Sequence, residues 1–378
     1  MIRIIECTNV TVRDVTIRNS PMWVQHYLAC DNVNIDGITV HSRRLHVNND
    51  GLDIDCCHKV RIANCEINSG DDAIVLKATS DRKCRDVTVT NCVLSSATNA
   101  FKLGTESNGG FENIVFSNST IYDSDHGLAL EEVDGAVFDR VSISNIIMNR
   151  VSVSIFIRLG NRARPYQSVG TSHDYTIPES ARRPGIGSLR NVYISNIQAR
   201  DVSETGCSIT GLPDHPVENI TLENIRILFE GGGTTEDAER TVPELPEHYP
   251  SAGMFGTLPA YGFYCRHARN LNFHHVEIGY VNEDKRPALI CEDVEGLRVD
   301  GFDAEINREA QAVVWLRQVR EAFITGNRPA RSETTFLRLD GERTRQISIQ
   351  GNDFSQIETV TEHGQDVPGE AVYMGTNR

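Results

Sequence analysis

Along most of the chain, apolar and polar residues alternate in short runs that end in Asn, Asp, Gly or Ser. The clearest runs are NVTVRD at Asn9, NVNIDG at Asn32, KVRIAN at Lys59, DVTVTN at Asp86, NIVFSN at Asn113, RVSISN at Arg140, NVYISN at Asn191 and NITLEN at Asn219. They begin 23, 27, 27, 27, 27, 51 and 28 residues apart, the 51 being about two steps filled by SIFIRLGNRARP. Weaker copies follow at NLNFHH, GLRVDG and QISIQG. Alternation with period two predicts strands that bury one face. A longer period in the twenties predicts a solenoid, because no repeat buries its apolar face until a neighbour stacks on it. Leucine-rich repeats share that period, but their Leu-x-x-Leu-x-Leu pattern and helical segment do not occur here. Val, Ile and Thr strands, several to a period, predict an all-β parallel β-helix with about three strands per coil, forming a single domain over residues 1–378.

Asn64, Asn91, Asn118 and Asn145 recur at intervals of 27, with Asn196 and Asn224 at matching places. Asn tolerates the left-handed backbone region and its amide reaches the next coil, so this row predicts a ladder of turns rather than ligands. Residues 229–262 are rich in Gly and Pro and predict a long loop over the solenoid wall; a smaller insertion from Asn161 has the same character.

The chain has 378 residues and a net charge of −15. Indiscriminate binding to nucleic acid or an anionic membrane is not expected, and no apolar run approaches the roughly 20 residues that cross a bilayer. The ten cysteines contain no CxxC pair, and several sit at equivalent places in successive repeats. They predict small apolar side chains stacked between coils rather than a zinc site. A monomer is expected.

The candidate chemistry lies in NNDGLDIDCCHKVRIANCEINSGDDAIVLKA, residues 48–78. Asp50 stands 21 residues before Asp71 and 22 before Asp72, a little under one repeat. The three fall on one face of adjacent coils, and strands stack about 4.8 Å apart. Asp53 and Asp55 lie on the strand beside them. Paired carboxylates suit glycosidic hydrolysis, in which one protonated acid serves the leaving oxygen and an ionised one activates water. Alone, either motif reads as a turn whose carboxylate caps backbone N–H groups; two of them one repeat apart point to a single site.

These motifs resemble glycoside hydrolase family 28, the polygalacturonase and rhamnogalacturonan hydrolase group of right-handed parallel β-helices. NNDGLDID is similar to the family's N-T-D-G-x-D element and SGDDAIVLK to its G-D-D-C-I-A-x-K element, and a more diffuse likeness extends over about residues 1–230. The resemblance implies Asp71 as general acid, Asp50 and Asp72 holding and deprotonating water, inversion at the anomeric carbon, and neither metal nor other cofactor. It also implies a pectin-type polysaccharide or oligosaccharide as the partner, with Asn49, Asp53 and Lys77 at the cleft.

Two departures matter. TNAFKLGTES puts Asn99 where the family has the histidine of Gly-His-Gly, and HGLALEE puts Ala129 and Glu131 where it has the cations of Arg-Ile-Lys. An acid in place of a cation repels a uronate, so a neutral or deoxy sugar, as in rhamnogalacturonan, is expected there instead of plain polygalacturonate. Lys102, His126, Arg158 and Arg266-His267 are further polar or cationic candidates. The rival readings are a β-helical lyase or epimerase that uses Ca²⁺ or a base beside the sugar's C5 proton, and a carbohydrate-binding β-helix without catalysis. The family carries an N-terminal section and a helical cap ahead of the repeat that begins here, so a fragment is expected. Its location is then secreted or periplasmic, and otherwise cytoplasmic.

Overall fold

The computed structural model describes residues 1–43, 48–165, 185–330 and 332–378. Its strands form a parallel β-solenoid. Leu52–Asp55, His58–Ala63 and Glu66–Ser69 make one coil; Ile74–Ala78, Cys84–Thr90 and Val93–Ser96 make the next and pair with them strand for strand in parallel. The expected three strands per coil are thus present. In later coils the walls merge. Phe111–Glu132 is one strand of 22 residues, pairing in turn with Cys84–Thr90, Val93–Ser96 and Asn99–Ser107.

Stacking repeats the same inward residues in register. Val33, Val60, Val87, Ile114 and Val141 form one column and Ile35, Ile62, Val89, Phe116 and Ile143 another, all at most 2% exposed. Each such side chain contributes roughly 1.5–3 kcal/mol on burial, which it gains only with a coil on either side. Nine of the ten cysteines are buried and all ten thiols are free; Cys57 Sγ accepts from Cys30 N at 3.3 Å across one coil. The apolar reading of the cysteines holds.

The asparagine ladder is also as the sequence predicts. Asn64, Asn91, Asn118, Asn145, Asn196 and Asn224 have φ between 52° and 57°. Amides bridge neighbouring rungs: Asn145 Nδ2 donates to Asn118 Oδ1 at 2.9 Å and Asn224 Nδ2 to Asn196 Oδ1 at 2.6 Å. A second left-handed row, at Asn32, Lys59, Asp86, Asn113 and Arg140, opens each middle strand. Because Lys, Asp and Arg share that row with Asn, composition gave it no signature.

The chain divides into two compact units, Met1–Arg190 with Leu245–Ser251, and Asn191–Glu244 with Ala252–Arg378. In the region expected as a loop from 229, the strand Val217–Gly231 continues first, followed by a capped helical turn Thr235–Ala238 and a 3₁₀ turn Ala252–Phe255 before the strand Phe263–Asn282. Most of the insertion that starts at Asn161 lies outside the described residues. No helix among the described residues is long and apolar enough to cross a membrane.

Candidate active site

Each acidic motif occupies the turn ahead of a strand of the same wall. Gly51 N donates to Asp72 O at 2.8 Å, which stacks the Asn-Asp-Gly turn on the Asp-Asp turn of the next coil. A Cβ on Gly51 would lie 2.5 Å from Ala73 O and Ile67 Cγ2, so the close approach of the two turns requires glycine. Ala73 N donates to Asn99 O and His126 N to Thr98 O, each at 2.8 Å, carrying the ladder through two further coils.

Asp71 is partly exposed and held by three donors: Asn48 N at 2.9 Å, Asp72 N at 3.0 Å and Thr98 Oγ1 at 2.8 Å. Ser69 and Ser96 hydroxyls donate to its carbonyl at 2.5 and 2.6 Å and fix the turn. Asp72 is 3% exposed and receives Asn99 Nδ2 at 2.5 Å. Thr98 Oγ1 also lies 2.9 Å from Asp72 Oδ1, so its one proton is offered to either acid of the pair. Asn99 Oδ1 in turn faces His126 Nδ1 at 2.8 Å, which orients the amide with its nitrogen toward Asp72. Burial holds His126 below the usual histidine range, and the neutral ring with its proton on Nδ1 is the tautomer that donates to Asn99.

Two lysines supply the positive charge. Lys77 Nζ lies 3.5 Å from Asp50 Oδ2, 3.5 Å from Asp53 Oδ1 and 3.6 Å from Glu106 Oε2, and 4.7 Å from the centre of the Trp23 ring. Lys102 Nζ lies 3.3 Å from Asp72 Oδ2 and 4.0 Å from Glu131 Oε2, and donates to the Tyr249 hydroxyl at 3.4 Å.

This asymmetry separates the acids. Burial pushes Asp72 upward, but Lys102 first, then Lys77, Asn99 and Thr98, outweigh it and hold Asp72 below the usual carboxylate range. Burial dominates at Asp50, with Asp72 and Asp71 adding to it against Lys77, and raises it to about 6. Asp53, wholly buried, is raised well above its ordinary value by burial and by the Asp50 charge. A protonated Asp53 beside an ionised Asp50 is the arrangement these forces favour. Glu131, raised by burial to about 7, accepts from Thr105 Oγ1 at 3.0 Å.

The predicted residues therefore converge, although not in equal roles. Asp50, Asp71, Asp72, Lys77, Asn99, Lys102, His126 and Glu131 form one connected cluster. Asn49 is fully buried with its amide donated to Ser20 O, so it braces the turn that carries Asp50. Asp53 is 0% exposed and lies against Lys77 rather than at the surface of the cluster. Asp55 is turned to His26 Nε2 at 3.2 Å and to Thr79, away from the other acids. Ala129 is wholly buried, and Arg158 stands opposite Glu131 on the next coil with Nη2 3.3 Å from Leu245 O. Arg266 and His267 belong to the second unit, where both meet Glu244.

Sequence reasoning did not find Trp23, Thr98, Glu106 or Tyr249. Two of these had a usable signal: Trp23 precedes Asp50 by 27 residues and Thr98 follows Asp71 by 27, one coil step in each case. Tyr249, 58% exposed, comes from the long non-repeating segment and has no register to betray it.

By fold and by cluster the chain is a parallel β-solenoid with paired acids on one wall. The profile of glycosyl hydrolases family 28 matches residues 1–245, and the chain belongs to that family. A probable polygalacturonase of Vitis vinifera is 33% identical over 81 residues, covering 21% of this chain and 16% of the relative. A polygalacturonase of Juniperus ashei is 37% identical over 68 residues, 18% of this chain and 13% of its own. Among solved structures, a hyperthermoactive exopolygalacturonase from Thermotoga maritima superposes with TM-score 0.54 at 20% identity, covering 73% of this chain and 54% of that one. The chain thus spans about half of that structure, and its matches to the plant relatives cover a small part of their length.

Proposed function

We propose that the protein is an inverting glycoside hydrolase of pectin-type polysaccharides or oligosaccharides, with Asp71 as general acid and Asp72 and Asp50 activating water. The observation that carries this reading is the gathering of three carboxylates from adjacent coils, Asp50 with Lys77 Nζ at 3.5 Å, Asp72 with Lys102 Nζ at 3.3 Å, and the more exposed Asp71 sharing the Thr98 hydroxyl with Asp72. Asp71, more exposed than either, gives its proton to the leaving glycosidic oxygen as the bond to the anomeric carbon breaks. Water attacks the opposite face of that carbon and passes its proton to Asp72, with Asp50 fixing the water; one water is added and the configuration inverts.

The cation inventory supports a neutral or deoxy sugar at the Glu131 position, as in rhamnogalacturonan, in preference to homogalacturonan. Lys77 is shared among three carboxylates and Lys102 between two, so neither is free to balance a uronate. A buried Glu131 adds repulsion when ionised.

The test is parallel incubation with rhamnogalacturonan, homogalacturonan and their oligomers, read by mass spectrometry and by proton NMR of the new reducing end. Water-added fragments of inverted configuration from rhamnogalacturonan, reduced by roughly 10³-fold in Asp71→Asn, are expected. Unsaturated products, or retained configuration, would overturn the mechanism. Faster cleavage of homogalacturonan would overturn the substrate assignment.

A further inference from the structure

The lysines of the carboxylate cluster are saturated with carboxylates. One arginine of the second unit has the opposite situation. Strands Leu289–Ala304, Val314–Arg317 and Leu337–Asp340 pair in parallel, so that Glu292, Arg317 and Asp340 form one column, and Trp315 and Arg338 stand side by side in the next. The guanidinium carbon of Arg317 lies 3.7 Å from the centre of the Trp315 ring, and that of Arg338 lies 4.4 Å from it. Asp340 Oδ2 is occupied by Trp315 Nε1 at 2.5 Å and Arg338 Nε at 3.0 Å. Glu292 Oε2 accepts the Tyr264 hydroxyl at 2.9 Å. Both acids that flank Arg317 in its column are thus engaged by other donors. Among the described residues Arg317 has neither a hydrogen bond nor a carboxylate within ion-pair distance.

A half-buried guanidinium without an acceptor is costly. Burial, insufficiently offset by Glu292, Tyr264 and Asp340, holds Arg317 below the usual arginine range. Stacking on the indole fixes the plane of its fork in advance, so little side-chain entropy is lost when a planar carboxylate takes two of its N–H groups. The neighbours also select among anions. Glu292 and Asp340 repel a dianion such as phosphate, but accept hydroxyl protons from a monoanionic sugar.

We propose that Arg317, oriented by Trp315 and assisted by Arg338, is a binding site for the carboxylate of a uronic acid residue in the second unit. Binding there requires no turnover, so its test is independent of the hydrolytic reading.

The experiment is calorimetry of the full chain carrying Asp71→Asn, titrated with tetragalacturonate, its methyl ester and inorganic phosphate. The acid is expected to bind, with the ester and phosphate at least tenfold weaker. Adding Arg317→Ala should weaken the acid at least tenfold, with Arg317→Lys between the two. The chain has two tryptophans, so Trp23→Phe leaves Trp315 as the sole indole reporter, and its emission should shift with the same affinity. Equal binding of the acid before and after Arg317→Ala would overturn the site. So would equal binding of ester and acid to the Asp71→Asn protein, an outcome that does not depend on how any arginine variant folds. Phosphate as strong as the acid would reduce the feature to a general anion patch and overturn the uronate assignment.

Discussion

Lys102 Nζ lies 3.3 Å from Asp72 Oδ2, and both residues are 3% exposed. Removing one member of such a pair leaves the other charge buried without compensation, typically at a cost of about 3–5 kcal/mol. Lys102→Met is therefore expected to destabilise the fold and to let Asp72 protonate at higher pH. The acid limb of the pH–rate profile should move upward and kcat should fall about 10²-fold. Because Glu131 Oε2 also lies 4.0 Å from Lys102, adding Glu131→Gln should recover part of the stability without recovering the rate. Thermal denaturation and pH profiles of the two variants check both expectations.

Lys77 plays the corresponding part for Asp50, which burial raises to about 6. In the proposed mechanism Asp50 fixes the water as an ionised carboxylate, so activity should rise with pH through about 6 and be lost below it. Lys77→Met removes the charge that opposes the rise and should shift that limb to higher pH. An unchanged limb in this variant would detach Asp50 from the profile.

Glu132 is wholly buried; its Oε1 accepts from Ala136 N at 3.0 Å, its Oε2 has no partner among the described residues, and burial raises it to about 8. A carboxyl with a raised folded value binds its proton more tightly when folded. Its stabilisation is complete below the ordinary value of 4.5 and is lost as pH rises through about 8. Glu132→Gln should thus leave the melting temperature little changed at pH 5 and raise it by several degrees relative to the natural chain at pH 9. A difference independent of pH would show that Glu132 does not titrate in this range.

Asn91 has φ 54° and is exposed, with its amide 3.4 Å from Asn64 Oδ1. Alanine there loses the ladder contact and keeps the left-handed cost, together about 1–2 kcal/mol. Glycine relieves the backbone and should cost less than half as much. Chemical denaturation of Asn91→Ala and Asn91→Gly distinguishes backbone relief from ladder bonding.

Much of this was legible in the sequence because the fold repeats. Strand walls and the Asn64 to Asn145 ladder follow from counting 27-residue steps, and the stacking of Asp50 against Asp72 from a shorter step of 22, since each step returns the chain to the same wall. What counting could not supply is how far a side chain reaches. Lys102, a candidate cation in the sequence, is 3% exposed and has its ammonium buried beside Asp72 and Glu131. Asn49, beside a catalytic candidate in sequence, points away to Ser20. Tyr249 arrives from outside the periodic part of the chain, so no step count leads to it.

The two left-handed rows make the coil a counting device. Each rung places its turn residue directly over the one before, and the Gly51 turn leaves no slack between neighbours. Deleting one residue inside a wall would rotate every later rung by a position and turn buried valines outward, whereas a long segment added at a corner changes no count. Such a chain can therefore take added length at its corners while the walls keep their length, and single outward residues can be exchanged on an unchanged frame.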